Sequence, residues 1–142
     1  MGRIDYRQLQ IKEFPLWNLQ LHDSQYPYIG RCYAWCKRQD AVKLEDMRID
    51  ERNELFDLIV PRWEKAVKEL FNSTWTNIAS YGNTSKHLHW HLIPRYDSSR
   101  TFYGLVFDDV NQSKNYSPYE KKNIDESILF KIRNDITEKI NL

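Results

Sequence analysis

Cysteine is scarce in this chain, and so is any excess of one charge. Cys32 and Cys36 are its two cysteines among 142 residues. They stand four apart in a strand-like segment, on one face but too far apart along an extended chain to form a disulfide, so reduced core thiols are expected. As a zinc pair they are weak. The 21 basic and 20 acidic side chains nearly cancel, which removes the long-range field that draws proteins to nucleic acid or anionic membranes. Any anionic ligand must then be held by local groups. No stretch approaches the ~20 apolar residues that span a bilayer, and the first residues lack an apolar signal core. A soluble cytoplasmic protein is the expectation. Internal repeats and low-complexity segments are absent too.

What is present describes a folded domain. The length suits one domain over residues 1–142, with room for a sheet and a helix layer. Five tryptophans and a charged fraction of 29% argue against disorder. Residues 1–13 are mixed and polar, suggesting a short helix or arm. Residues 16–21 alternate as a strand, a loop containing Pro27 and Gly30 follows, and residues 32–37 form a second strand. A helix capped by Asp50 then carries Leu55, Ile59, Trp63, Ala66, Val67, Leu70 and Phe71 at helical spacing. Pro61 falls inside that pattern, which predicts a kink or a later start. Residues 75–81 and 87–93 read as a hairpin around the turn at 82–86. Beyond Pro94 the chain reads as loop through Tyr119, with a short strand at 103–107. A final helix presents Ile128, Ile132, Ile136 and Ile140.

The concentrated signal is histidine. Three of the four histidines, His87, His89 and His91, alternate with Leu88, Trp90 and Leu92. On a strand this spacing puts three imidazoles on one face and three apolar side chains on the other, whereas a helix would scatter them. Two chemistries compete. A His-x-His pair can present two nitrogens to zinc, but further ligands must come from His22, Asp23, Cys32 or Cys36, none at a spacing that specifies a site. Alternatively, a neutral imidazole attacks phosphorus while neighbouring groups stabilise the phosphoryl oxygens. The polar turn Gly82, Asn83, Thr84, Ser85 supplies donors for that second chemistry.

The run from His87 to Ile93 resembles the His-φ-His-φ-His-φ-φ signature (φ apolar) of the histidine triad family of nucleotide hydrolases and transferases. The resemblance covers about residues 15–96, leaving 97–142 as a C-terminal extension. Residues 77–83 resemble the strand and turn of the diadenosine tetraphosphate hydrolase-like branch. The resemblance implies an α+β fold in which an antiparallel sheet is covered by a long helix, with an additional C-terminal helix here. It implies that His89 attacks the α-phosphate to form a nucleotidyl-histidine, that His91 contacts the phosphate or leaving group, and that His87 orients the others. Asp23 would hold the ribose, and Asn83, Thr84 and, more weakly, Asn77 would contact phosphate. No metal ligand and no cofactor are required, although a divalent cation can accompany a polyphosphate substrate. The expected partner is a small-molecule nucleotide, with a homodimer among the options and no membrane or nucleic-acid polymer. The alternative is a nucleotide-binding or metal-binding module on the same fold without useful turnover. One departure stands out: where many members carry a further histidine at the start of the second strand, this chain has Arg31.

Overall fold

The computed structural model describes residues 5–141. Strands β1 (Gln10–Glu13), β2 (Trp17–Leu21), β3 (Cys32–Cys36), β4 (Trp75–Ala79) and β5 (His89–Arg95) form one antiparallel sheet in the order β1-β2-β3-β5-β4. Strict alternation of burial in β2 and β3 explains why these segments pair. Trp17, Leu19, Leu21, Cys32, Ala34 and Cys36 bury one face in the core, while Asn18, Gln20, Tyr33 and Trp35 point the other way. Both cysteines are free and buried. Burial pushes the Cys36 thiol up to about 11, helped by the neighbouring Glu51 carboxylate.

Of the arm expected over residues 1–13, residues 1–4 lie outside the described residues, and the remainder is a single turn of 3-10 helix at Tyr6–Leu9 leading into β1. Its residues Gln-Ile-Lys-Glu bury only Ile11, so a four-residue edge strand leaves almost no alternation to detect. Strand β5 is displaced the other way. It begins at His89 rather than His87, because Leu88 pairs outside the ladder, donating to the Ala41 carbonyl and accepting from Cys36 N–H. Leu88 and Leu92 are fully buried as expected. Trp90, opposite Ala34, is only half-buried and meets Phe56 edge-on at 5.3 Å between ring centroids.

The covering helix runs from α1 (Ile49–Asn53) through a wide π turn at Glu54–Ile59 into α2 (Val60–Phe71). Pro61 cannot donate its backbone nitrogen, and the i→i+5 pairing just before it accommodates that gap without ending the helix. Leu55, Ile59, Trp63, Ala66, Val67 and Phe71 form the stripe that packs on the core, and Asn72 closes the helix in a left-handed conformation. Asp50 is not the cap. That place belongs to Arg48, whose backbone N–H donates to Glu51 Oε1 at 2.8 Å, while Asp50 sits in the first turn.

Glu51 has a further task. Its buried carboxylate also receives Arg38 and the Cys36 thiol. Burial opposes its charge, but the Arg38 guanidinium, the Arg48 N–H and the Cys36 thiol together hold it at about 2, down from the usual 4.5. A carboxyl group depressed in the folded state stabilises the fold above its unfolded value and loses that contribution as pH falls through the folded one. The stability gap between the wild-type chain and Glu51→Gln should therefore shrink between about pH 4.5 and 2. Denaturant melts across that window check this, and a gap independent of pH would refute it.

Beyond the large sheet, β6 (Arg100–Phe102) and β7 (Leu105–Phe107) form a separate two-stranded hairpin, where one short strand was expected. The C-terminal helix α3 (Glu126–Ile140) starts at Asp125, whose side chain accepts Ser127 N–H, and packs on α2 and β1. It buries Leu129, Ile132, Ile136 and Ile140. Ile128 is only half-buried, so the stripe begins one residue later than the isoleucine spacing indicates. Among the described residues, no helix is long and apolar enough to cross a membrane.

Candidate active site

The cross-strand register assembles the site. Tyr33 stands opposite His91 and Trp35 opposite His89, so aromatic side chains of β3 and imidazoles of β5 share the face turned away from the core. Trp35 stacks on both His87 and His89, with ring centroids 4.7 and 5.0 Å away. His89 and His91 lie 5.1 Å apart by the same measure. His87 keeps its place in the group through this stack although it precedes the strand. His22 also joins, against Tyr33 at 4.4 Å and 6.2 Å from His91. All four histidines thus converge, and His89 is 7% exposed rather than on an open surface.

Each imidazole faces a partner that can only donate or only accept, which fixes its tautomer. His89 Nδ1 lies 2.7 Å from the His87 carbonyl oxygen, so Nδ1 carries the proton and Nε2 keeps its lone pair. His87 Nε2 lies 2.5 Å from the Cys36 carbonyl oxygen and must donate there. Arg31 Nη2 donates to His91 Nδ1 at 3.2 Å, which leaves the proton of a neutral His91 on Nε2. The Ser24 backbone N–H donates to His22 Nδ1 at 2.9 Å. His22 Nδ1 is also 3.3 Å from the Asp23 carboxylate. Because that nitrogen accepts from Ser24, and because burial, Arg31 and His91 hold His22 well below the usual imidazole range, the contact is not an ion pair. Burial, Arg31 and His89 likewise bring His91 down to about 3.

Arg31, the residue that stands where many histidine triad proteins carry a further histidine, completes the site with Tyr81, Tyr116 and Tyr119, and no pattern in the sequence pointed to the three tyrosines. Tyr119 accepts from Arg31 Nη1 at 2.7 Å, and the guanidinium lies over the Tyr116 and Tyr119 rings. Tyr81 packs near His91, 5.8 Å between centroids. Burial and the Tyr81 hydroxyl raise Tyr116 to about 12. The segment carrying Tyr116 and Tyr119 is anchored by Arg95, which ion-pairs with the buried Asp109 at 2.7 Å and donates to the carbonyls of Asn111 and Lys114. Tyr28 donates to the Tyr116 carbonyl from the other side.

The remaining sequence candidates are less central. Asp23 is partly exposed beside His22. Asn83 and Thr84 are exposed in the loop before the triad, and no protein group holds their side chains among the described residues. Asn77 lies on the histidine face, but its Oδ1 accepts from Arg95 Nη1 at 2.9 Å, which makes it part of the anchor. Cys32 and Cys36 are on the opposite face from the triad and cannot share a metal with it. Among the described residues, no three His, Cys, Asp or Glu side chains converge in a way that could hold a metal ion. A groove of about 730 Å³ runs along β4, lined by Trp75, Asn77, Tyr81, Asp97 and Tyr116 among others. Tyr81 joins it to His91, and Tyr116 joins it to Arg31.

This fold is shared with histidine triad proteins. A histidine triad protein of Bradyrhizobium japonicum superposes with a TM-score of 0.69 at 21% identity, covering 92% of this chain and 89% of its own. One from Sinorhizobium meliloti gives 0.69 at 17% identity, covering 96% of each chain. The hypothetical histidine triad nucleotide-binding protein of Sulfolobus tokodaii gives 0.68 at 16%, covering 94% of this chain and 83% of its own. Residues 35–98, which hold the covering helix, the β4–β5 hairpin and all three clustered histidines, match the family model of the HIT domain. No curated protein matches the sequence.

Proposed function

We propose that this chain is a histidine triad enzyme, a nucleotide hydrolase or nucleotidyltransferase that works at the α-phosphate through a covalent intermediate on His89. The observation that carries this reading is the His89 Nδ1–H bond to the His87 carbonyl, which leaves Nε2 unprotonated and held by the Trp35 stack. In the first step the Nε2 lone pair forms a bond to phosphorus, and the bond to the leaving group breaks with its electron pair on the departing atom. In the second, the oxygen of water or another acceptor bonds to phosphorus, the N–P electron pair returns to Nε2, and the acceptor proton passes to solvent. His91 offers its Nε2–H to a phosphoryl or leaving-group oxygen. His87 positions His89 through its carbonyl. Asp23 receives the ribose hydroxyls, and Asn83 and Thr84, without protein partners among the described residues, supply phosphate contacts, with Asn77 contributing from its place on Arg95. The whole of residues 1–142 acts as one unit, because the C-terminal extension supplies Tyr116 and Tyr119 to the site.

No metal is needed for the nucleophile, and a divalent cation enters only with a polyphosphate substrate. Diadenosine polyphosphates are within the substrate class, and a cytoplasmic homodimer is compatible with the reading. Rapid quench into alkaline detergent with α-³²P-labelled adenine nucleotides tests it. A labelled adduct that is stable in alkali and lost in acid should appear on the protein, mapping to His89. Turnover with no adduct, or an adduct on another residue, would overturn the mechanism.

A further inference from the structure

We propose that Arg31 is the anion-recognition residue of this site and selects nucleotides with a second phosphate beyond the α-phosphate over monophosphates and phosphoramidates. This rests on the nucleotide reading above and narrows it to a substrate class. Arg31 is 3% exposed and makes no ion pair among the described residues. Arg95, which is also buried, does the opposite and sits on Asp109. Of the five N–H groups of Arg31, one reaches the Tyr119 hydroxyl and one His91 Nδ1, and Nε has no partner. Two tyrosine rings flank the guanidinium at 5.4 and 5.5 Å, but they cannot neutralise it. A buried cation without a counter-charge is costly, so the partner this site lacks is an anion.

Position and chemistry say which anion. Arg31 is one hydrogen bond from His91, whose ring is next to that of His89. An oxygen bound to Arg31 is therefore adjacent to the phosphoryl group that His89 attacks, on the His91 side. A neutral His91 donates a hydrogen bond from Nε2 but has no spare proton to give. An amine must gain a proton as it departs, whereas the P–O bond of a phosphoanhydride breaks with its electron pair on an oxygen that leaves as an anion, whose charge Arg31 meets. The Tyr119 hydroxyl on Nη1 holds the place of that oxygen and turns aside when the ligand arrives.

Calorimetry in excess chelator, comparing AMP with the non-hydrolysable α,β-methylene-ADP, tests this independently of turnover. The wild-type chain should bind the diphosphate about 10- to 100-fold more tightly, the range of a hydrogen-bonded charge pair. Arg31→Gln should bring the two ligands within about threefold, and Arg31→Lys, which keeps charge but loses the planar fork, should fall between. The ratio is insensitive to partial loss of folded protein. Tyr119→Phe, which removes the place-holding oxygen and leaves the charge, should retain or increase the preference. AMP binding without a diphosphate preference, or a preference that survives Arg31→Gln, overturns the assignment and leaves the nucleotide reading intact. A collapsed ratio in Tyr119→Phe overturns the place-holder role. Failure of the wild-type chain to bind either nucleotide overturns the nucleotide reading itself, and the assignment with it.

Discussion

His89→Asn is expected to lose at least about 1000-fold in kcat with any nucleotide the wild-type chain turns over, because removing a covalent nucleophile removes the step itself. Asparagine is the informative replacement. Its side-chain N–H can still donate to the His87 carbonyl in place of His89 Nδ1, so the local structure is kept while the attacking nitrogen disappears. The melting temperature should change little, whereas His89→Ala, which loses the hydrogen bond to the His87 carbonyl as well as the ring stacked on Trp35, should match the activity loss with a modest stability loss. Either variant turning over at more than a tenth of the wild-type rate would show that the bond to phosphorus forms elsewhere.

The largest stability effect should come from a residue that touches no substrate. Arg95→Ala strips the ion pair from Asp109, which is 1% exposed, and releases the carbonyls of Asn111 and Lys114. Leaving a buried carboxylate without its cation costs about 3–5 kcal/mol, which for a chain of this length lowers the melting temperature by about 10 °C. Asp109→Asn paired with Arg95→Ala should recover part of the loss, since no buried charge is then stranded. A single Arg95→Ala chain that melts with the wild type would mean that the anchor contributes nothing. Nucleotide affinity should fall alongside stability, because this anchor fixes the segment bearing Tyr116 and Tyr119.

The sheet and the covering helix were legible because their signals are local. Period-two burial in β2 and β3 and the apolar stripe from Leu55 to Phe71 can be read within short windows. The triad was legible for the same reason, since alternate histidines on one strand must share a face. β1 was not, because its single core residue Ile11 makes no pattern. Tyr33 and Trp35 could have been found: they are the outward residues of a strand whose inward residues are Cys32, Ala34 and Cys36. Tyr116 and Tyr119 could not. Tyr119 meets Arg31 across 88 positions of sequence, in a stretch with no periodicity, and the Arg95–Asp109 anchor together with the Tyr28 bond to the Tyr116 carbonyl explains why it comes back. Asn77, a weaker candidate in the sequence, lies on the histidine face with its amide oxygen held by Arg95, a partner 18 positions away that no local pattern announces.

Gly30, one residue before Arg31, has φ +97°, and a Cβ there would lie 2.8 Å from Val67 Cγ1 on α2. Trp63 on the same helix donates its indole N–H to the Gly30 carbonyl at 2.9 Å. Positions 63 and 67, buried in the hydrophobic core, therefore set where the guanidinium stands. Changing ligand preference by laboratory evolution is then as much a problem of the helix as of the pocket. A library confined to the histidine face would hold the geometry of Arg31 constant, while conservative volume changes at Val67 would shift it by fractions of an ångström, and any substitution at Gly30 would demand a compensating smaller residue on the helix.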